Sequence, residues 1–332
     1  MKQQVGIVGF RGYSGAELVR ILDRHAQVEP VLIEHRSDAA ESHAPGRRHE
    51  RIACTPAAVR SAAVTTVFLA TPADVSMDLV PWLLEAGARV IDLSGAFRLR
   101  TPERYLHWYK EAHTQPALLT EAVYGLPEFN RECVRGARLV SNPGCYPTAA
   151  SLAIAPLLQA GVIDRTAGII CDAKSGVSGA GRKPSLKTHF CEVTGNFSAY
   201  SILEHRHVPE VLLNCGLEES EFSFTAQLLP LERGILETVY FRTNLASVSE
   251  LHEIYAQRYA NEPFIRLWTP PHVPDLHAVA RTNFCDIGVR LDAATGRAVV
   301  VAAIDNLVKG AAGQAVQNMN LCLGFEETEG LL

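Results

Sequence analysis

Residues 141–150, SNPGCYPTAA, place a cysteine directly after a Pro-Gly pair and two residues before a proline. Pro143 and Gly144 predict a tight turn, and Pro147 suits the first turn of the helix that follows. A thiol at a helix N-terminus meets the positive end of the dipole and backbone N–H groups, which favour the thiolate, the nucleophilic form. A cysteine taken alone is more often a small buried hydrophobe. The turn around Cys145, and the need for a covalent carrier if a dinucleotide is to reduce an acyl group, favour a nucleophile. HRHVPE, residues 205–210, supplies His205 and His207 with Glu210 close behind. In an extended segment residues two apart project to one side. One histidine then fits an acid/base and the other an orienter or phosphate contact, with purely structural use as the alternative. Glu210 is a candidate substrate contact beside them.

Two further stretches suit an anion. SGVSGAGRKP, residues 175–184, is a Gly/Ser loop whose backbone donors, with Ser178, Gly179 and Arg182, could wrap a charged group; its plain alternative is a surface turn. DLSGAFRL, residues 92–99, leaves a parallel strand at the carboxyl edge, where ligands bind, and makes Arg98 a candidate for a substrate phosphate or carboxylate, or else a solvated surface arginine.

The hydride source is suggested at the start of the chain. Glycines at 9, 12 and 15 follow the first apolar run and open the first helical one, with GxxGxxG rather than GxGxxG spacing. They let the backbone turn tightly and leave room for a pyrophosphate at the helix N-terminus. The loop residues Gly9, Arg11, Gly12, Tyr13, Ser14 and Gly15 are therefore candidate cofactor contacts. The end of the second strand normally selects the cofactor, and here it offers Glu34, Arg36 and Ser37. Arg36 and Ser37 favour a 2'-phosphate and hence NADP, and Arg11 adds a second positive charge; Glu34 points the other way, to a ribose 2'-hydroxyl and NAD, unless it pairs with Arg36, which lies on the same side of the strand. A solvated loop cation is the other reading of Arg36.

The elements needed to hold these residues are legible in the hydrophobic pattern. Strand-like runs at 4–8, 28–33, 66–70, 89–93 and 138–140 alternate with helical stretches at 16–25 and 74–86, which indicates a parallel sheet with helices on both faces. After Cys145 a helix at 148–160 is followed by strands at 168–173, 222–229, 235–242, 284–291 and 298–304, and strand following strand indicates a mixed or antiparallel sheet. Residues 305–319 read as a final helix. The expected architecture is α/β: a Rossmann dinucleotide-binding domain over 1–145, completed by 306–332, and an α+β catalytic and dimerisation domain over 146–305.

Composition excludes several other classes. The 332 residues are 47% hydrophobic, enough for two domains, and the net charge of -5 is spread over 31 basic and 36 acidic side chains without long runs of either sign. Neither nucleic acid nor an anionic membrane is an expected partner. The N-terminal segment has no signal-peptide pattern and no apolar stretch is long enough to span a bilayer, so a cytoplasmic protein is expected. Eight cysteines, at 54, 133, 145, 171, 191, 215, 285 and 322, lack the close pairs of a zinc site and the density of a disulfide scaffold, and no metal is expected.

Taken in order, GYSGAEL, DLSGAFRL, YGLPE, PGCYPTAA, SGVSGAGRK, HRHVPE, RGILET and DNLVKGAAGQAVQ run across almost the whole chain, from residue 12 to residue 317. Together they resemble the N-acetyl-γ-glutamyl-phosphate reductases of arginine biosynthesis. The resemblance implies an NADP-binding Rossmann domain and a catalytic domain like that of aspartate-semialdehyde dehydrogenase, with the last helix returning to the first domain. It further implies Cys145 as nucleophile, a histidine of the HRH segment as acid/base, Asn306 near the nicotinamide, a small acyl phosphate as substrate and a homo-oligomer, dimer or tetramer. Phe10-Arg11 departs from the family pattern, in which Ala-Ser is usual, and leaves Arg11 as the candidate replacement for a serine contact to the cofactor phosphates. The alternatives are a reductase of aspartyl or carrier-bound aminoadipyl phosphate, a non-catalytic NADP-sensing Rossmann protein, or a cysteine hydrolase, in which the glycine loop would have no role.

Overall fold

The computed structural model describes residues 2–35 and 49–332. The chain forms two compact units, Met1–Pro143 with Ala311–Leu332, and Gly144–Gly310. The boundary thus precedes Cys145, and the chain rejoins the first unit at Ala311, whereas the sequence reading set these points at 145 and 306.

In the first unit the described strands are β1 (Gln3–Val8), β2 (Val28–Glu34), β3 (Arg51–Ala53), β4 (Val64–Leu69), β5 (Arg89–Asp92), β6 (Val123–Tyr124) and β7 (Leu139–Ser141). They form one sheet in the order β3-β2-β1-β4-β5-β7-β6, parallel throughout. Val5, Ile7 and Val8 of β1 and Val67, Phe68 and Leu69 of β4 are inaccessible to solvent, as strands covered on both faces must be. Helix α1 (Tyr13–Leu22) buries Leu18, Ile21 and Leu22. Because β2 lies on one side of β1 and β4 on the other, the strand order reverses there. The carboxyl ends of β1 and β4 therefore open a crevice of the kind that takes ligands in such sheets.

The second unit carries β8 (Ile169–Gly176), β9 (Ser198–Tyr200), β10 (Phe222–Leu229), β11 (Ile235–Arg242), β12 (Ile265–Leu267), β13 (Cys285–Asp292) and β14 (Arg297–Ile304), in the order β12-β13-β14-β11-β8-β10-β9. The β8/β10 and β12/β13 pairs are parallel and the others antiparallel, giving the mixed sheet expected. Along β8 and β11 burial alternates, with Cys171, Ala173, Glu237 and Val239 turned inward. Against β11 and β14 packs the helix Cys145–Gln159, buried from Tyr146 to Leu157. The Tyr259 hydroxyl donates to the Leu152 carbonyl at 2.7 Å and the Tyr255 hydroxyl to that of Ala153, which ties the helix to the segment around Val248–Arg258.

The final helix begins later than its composition predicts. Asp305 Oδ1 accepts the N–H groups of Leu307 at 2.8 Å and Val308 at 3.2 Å, so Asp305 caps the segment instead of belonging to it. A π-turn, Val308–Ala312, then leads into the α-helix Gly313–Leu323, all of which lies in the first unit.

One carboxyl in the second core has a pH consequence. Glu237 is fully buried, with Oε2 3.7 Å from Cys171 Sγ. Burial pushes its pKa well above the ordinary range, against smaller opposing effects of Cys171 and Lys174. The native state therefore holds this proton to a higher pH than the unfolded chain does. The associated stability is complete below the unfolded carboxyl's pKa, about 4.3, and declines as pH rises from there through the raised folded value. Glu237→Gln removes this dependence: the melting temperature of the variant relative to wild type should rise between pH 5 and pH 8. A difference that stays flat or falls over that range would mean that Glu237 is ionised in the core.

Candidate active site and dinucleotide site

Cys145 is the first residue of its helix, one earlier turn than the run from residue 148 predicts, with Gly144 as N-cap at φ -68° and ψ 153°. No side chain caps the helix, and Pro147 brings no N–H, so the donors of the first turn are backbone groups beside the thiol. Gly144 is itself held: its N–H donates to Glu210 Oε2 at 2.9 Å, and Glu210 is completely buried. Glu210, expected to touch substrate, holds the turn that carries Cys145. On the other side Gly310 lies against Cys145. A Cβ at Gly310 would stand 2.8 Å from the Cys145 Cβ and 3.2 Å from its Cα.

His205 and His207 are both about nine-tenths buried. They occupy a turn leading into the helix Val208–Cys215, and His207 is that helix's N-cap, so the extended segment expected for HRH is not present. Proline at 209 and the helix after it impose the turn. The rings still converge, their centroids 4.9 Å apart, and both meet the Tyr146 ring edge-on, at 5.3 and 6.0 Å. Phe224 closes the cluster at 5.4 Å from Tyr146, and the Tyr146 and Tyr200 hydroxyls lie 3.1 Å apart. Burial raises both phenols and keeps them neutral. His205 Nδ1 accepts the backbone N–H of His207 at 3.2 Å, which leaves the proton of the neutral ring on Nε2. Burial, reinforced by Arg206, lowers the His205 pKa to about 4, so this ring is neutral at physiological pH.

Cys145, Tyr146, His205 and His207 line one cavity of about 690 Å³, within the usual range for small-molecule sites. Gly179 lines it too, as do Lys187 and Arg206, two cations that the sequence reading passed over. Arg206 lies inside the HRH motif and was within reach; Lys187, beyond the glycine loop, carried no signal. Several expected contacts lie elsewhere. Arg182 is exposed and outside the cavity lining. Ser178 and Asn306 are tied to each other: Asn306 Nδ2 donates to Ser178 Oγ at 2.9 Å, and its Oδ1 accepts the Gly234 N–H at 2.7 Å. They brace the loops after β8 and before β11. Arg98 belongs to the first unit and is buried, its Nε donating to the Asn142 carbonyl at 2.8 Å and its Nη2 to that of Leu93 at 2.7 Å. It joins the turns after β5 and β7, because a buried guanidinium needs acceptors and the strand ends supply them.

The first unit has its own cavity, of about 220 Å³, at the carboxyl ends of β1, β2 and β4, lined by Gly9, Phe10, Arg11, Gly12, Glu34, His35 and Thr71 among others. The three glycines differ in role. Gly9 has φ +82°, and a Cβ there would meet the Ala70 carbonyl oxygen at 2.2 Å; at Gly15 it would meet the Gly9 carbonyl oxygen at 2.3 Å. These two let the turn and α1 pack. Gly12, N-cap of α1, has only the Gly9 oxygen near, at 3.4 Å, so a side chain there would project into the space before the uncapped helix, where a pyrophosphate fits. Tyr13 and Ser14 begin α1 outside the cavity lining. Glu34 Oε1 is shared by Arg11 Nη2 at 3.3 Å and Arg51 Nη1 at 3.4 Å. Arg36 and Ser37 lie outside the described residues.

Residues 4–137 match the family model described as "Semialdehyde dehydrogenase, NAD binding domain", and residues 145–306 match "Semialdehyde dehydrogenase, dimerisation domain". N-acetyl-gamma-glutamyl-phosphate reductase of Symbiobacterium thermophilum is 48% identical, over 100% of this chain and 98% of its own length. The protein of the same name from Desulforudis audaxviator is 49% identical over 99% and 98%. Among solved structures, aspartate semialdehyde dehydrogenase II of Vibrio cholerae in complex with ASA superposes with a TM-score of 0.71 at 18% identity, covering 98% of this chain and 99% of that one. Aspartate semialdehyde dehydrogenase of Candida albicans with NADP gives 0.70 at 18% identity, over 97% and 98%. At such identities these structures establish the fold. The full-length relatives establish more: the chain belongs to the N-acetyl-gamma-glutamyl-phosphate reductase family.

Proposed function

We propose that the protein reduces N-acetyl-L-glutamyl 5-phosphate to N-acetyl-L-glutamate 5-semialdehyde and phosphate, with NADPH as reductant, in arginine biosynthesis. The observation that carries this is the placement of Cys145 at an uncapped helix start, in one cavity with two buried histidines. Its thiolate attacks the acyl carbon, the C–O bond to phosphate breaks, and a thioester remains. NADPH, when bound, supplies the hydride that converts an acyl group to the aldehyde level. Backbone donors of the first helical turn suit the oxyanion that develops on the substrate carbonyl. When the C–S bond breaks, His207 is the group to return a proton to the leaving sulfur. The alternative, His205, is neutral and has Nδ1 committed as an acceptor, so it suits donation from Nε2 to an anionic oxygen. Lys187 and Arg206 are the cavity's cations for the phosphate or carboxylate.

The same reading makes the first unit, with the final helix, an NADP-binding domain and the second a catalytic domain that assembles into a dimer or tetramer in the cytoplasm. The dimerisation-domain match supports assembly, and no described helix is long and apolar enough to cross a membrane.

The deciding experiment is the reverse reaction. Oxidation of N-acetylglutamate semialdehyde should require phosphate or arsenate and saturate in the anion, since phosphate must cleave the thioester. Arg206→Leu should raise the KM for phosphate about tenfold or more. Steady turnover in phosphate-free buffer, indifferent to added phosphate, would return the chain to the broader class of thiol dehydrogenases.

A further inference from the structure

The carboxyl end of β2 is where a dinucleotide fold tells a ribose 2'-hydroxyl from a 2'-phosphate. In this chain it holds an ordered ionic cluster. Arg11, from the glycine loop, and Arg51, the first residue of β3, both reach the same oxygen of Glu34, the last residue of β2, at 3.3 and 3.4 Å. Their guanidinium carbons lie 4.9 and 5.7 Å from the centroid of the Phe10 ring, so one aromatic side chain supports both. Phe10, Arg11 and Glu34 line the cavity at the strand ends, and Arg51 joins them through Glu34. The three ionic side chains remain partly accessible, at 36%, 29% and 27% for Arg11, Glu34 and Arg51.

We propose that Arg11 and Arg51, supported by Phe10 and held in place by Glu34, are the pair through which this protein selects a 2'-phosphorylated dinucleotide. Two guanidiniums, one of them in the cavity lining, converge on one point at the strand ends, where a dianionic phosphate gains charge-assisted hydrogen bonds that a ribose diol cannot. Guanidinium forks match phosphate oxygens in geometry. Glu34, the residue type that would otherwise accept hydrogen bonds from a ribose diol, has the oxygen in question already shared by two arginines, so its role is to orient them. The inference rests on the NADP reading above and adds to it which residues make the choice.

The test is calorimetric titration of the full-length protein with NADP+ and with NAD+, so that binding is read without turnover. Arg51→Ala and Arg11→Ala should each weaken NADP+ about tenfold while NAD+ changes by less than about twofold. Arg51→Lys, which keeps the charge and loses the fork, should fall between, and it serves as the readout if the alanine variant does not fold. Glu34→Gln should leave NADP+ binding intact or tighter. If wild type prefers NADP+ and both arginine variants keep that preference, the phosphate is read elsewhere and the proposal is overturned, with the cofactor reading intact. Equal weakening of both dinucleotides would make the arginines a stacking or structural support and also overturn it, as would selective loss of NAD+ binding in Glu34→Gln. Equal affinity of wild type for NAD+ and NADP+ would overturn the cofactor reading itself and the proposal with it.

Discussion

Cys145→Ser should bind NADP+ like wild type and turn over acyl phosphate at less than about a hundredth of the wild-type rate. Every covalent step passes through this sulfur, and a serine hydroxyl at the same helix start is far less ionised than a thiol. Calorimetry of the dinucleotide paired with a product assay separates a lost nucleophile from a lost fold. Residual turnover above that level would mean that hydride reaches the acyl group without a thioester, and the roles given to the first-turn donors and to His207 would have to be reassigned.

Gly310→Ala should lower kcat by on the order of 10²-fold, because displacing reacting groups by about 1 Å can cost that much. The added methyl would stand 2.8 Å from the Cys145 Cβ, closer than real side-chain carbons approach, so either the nucleophile or the π-turn Val308–Ala312 must shift. Neither gives way easily: the Gly144 N–H anchors the cysteine's turn to buried Glu210, and Asp305 caps the π-turn through two backbone N–H groups. Irregular helical turns recur at functional sites, and here the irregularity presents the one residue without a side chain to the nucleophile. The KM for NADPH should change little, since the dinucleotide cavity lies in the other unit, while the rate of Cys145 alkylation by iodoacetamide should change with kcat. Wild-type kcat in Gly310→Ala would show that the contact with Cys145 relaxes without consequence. Overpacking should also lower stability by about 1–3 kcal/mol, read from denaturant midpoints.

The sequence by itself determined the longer strands of both sheets and the glycine turn, and it singled out Cys145 at a helix start; the short strands β3, β6, β9 and β12 left no pattern long enough to read. Parallel strands buried on both faces read as continuous apolar runs, and half-buried strands such as β11 alternate, so the longer strands of both sheets follow from local pattern. Gly9 and Gly15 were legible because a positive φ and close backbone packing admit no other residue. Cys145 was legible because a Pro-Gly turn before a helix is a local construction. The tertiary structure alone decided what long, flexible side chains do, since Arg and Glu reach partners far along the chain. Arg98 and Glu210 looked like ligand contacts, yet each is buried and satisfied by backbone groups 44 and 66 residues away. Arg51, with nothing local to single it out, became the partner of Arg11 through Glu34. The two histidines were found by type, but the commitment of His205 Nδ1 as an acceptor depended on a turn that directs the His207 N–H at it. Periodicity reports which face of an element is buried; it is silent about which buried polar atom meets which, because those pairings are made only when distant segments close on one another.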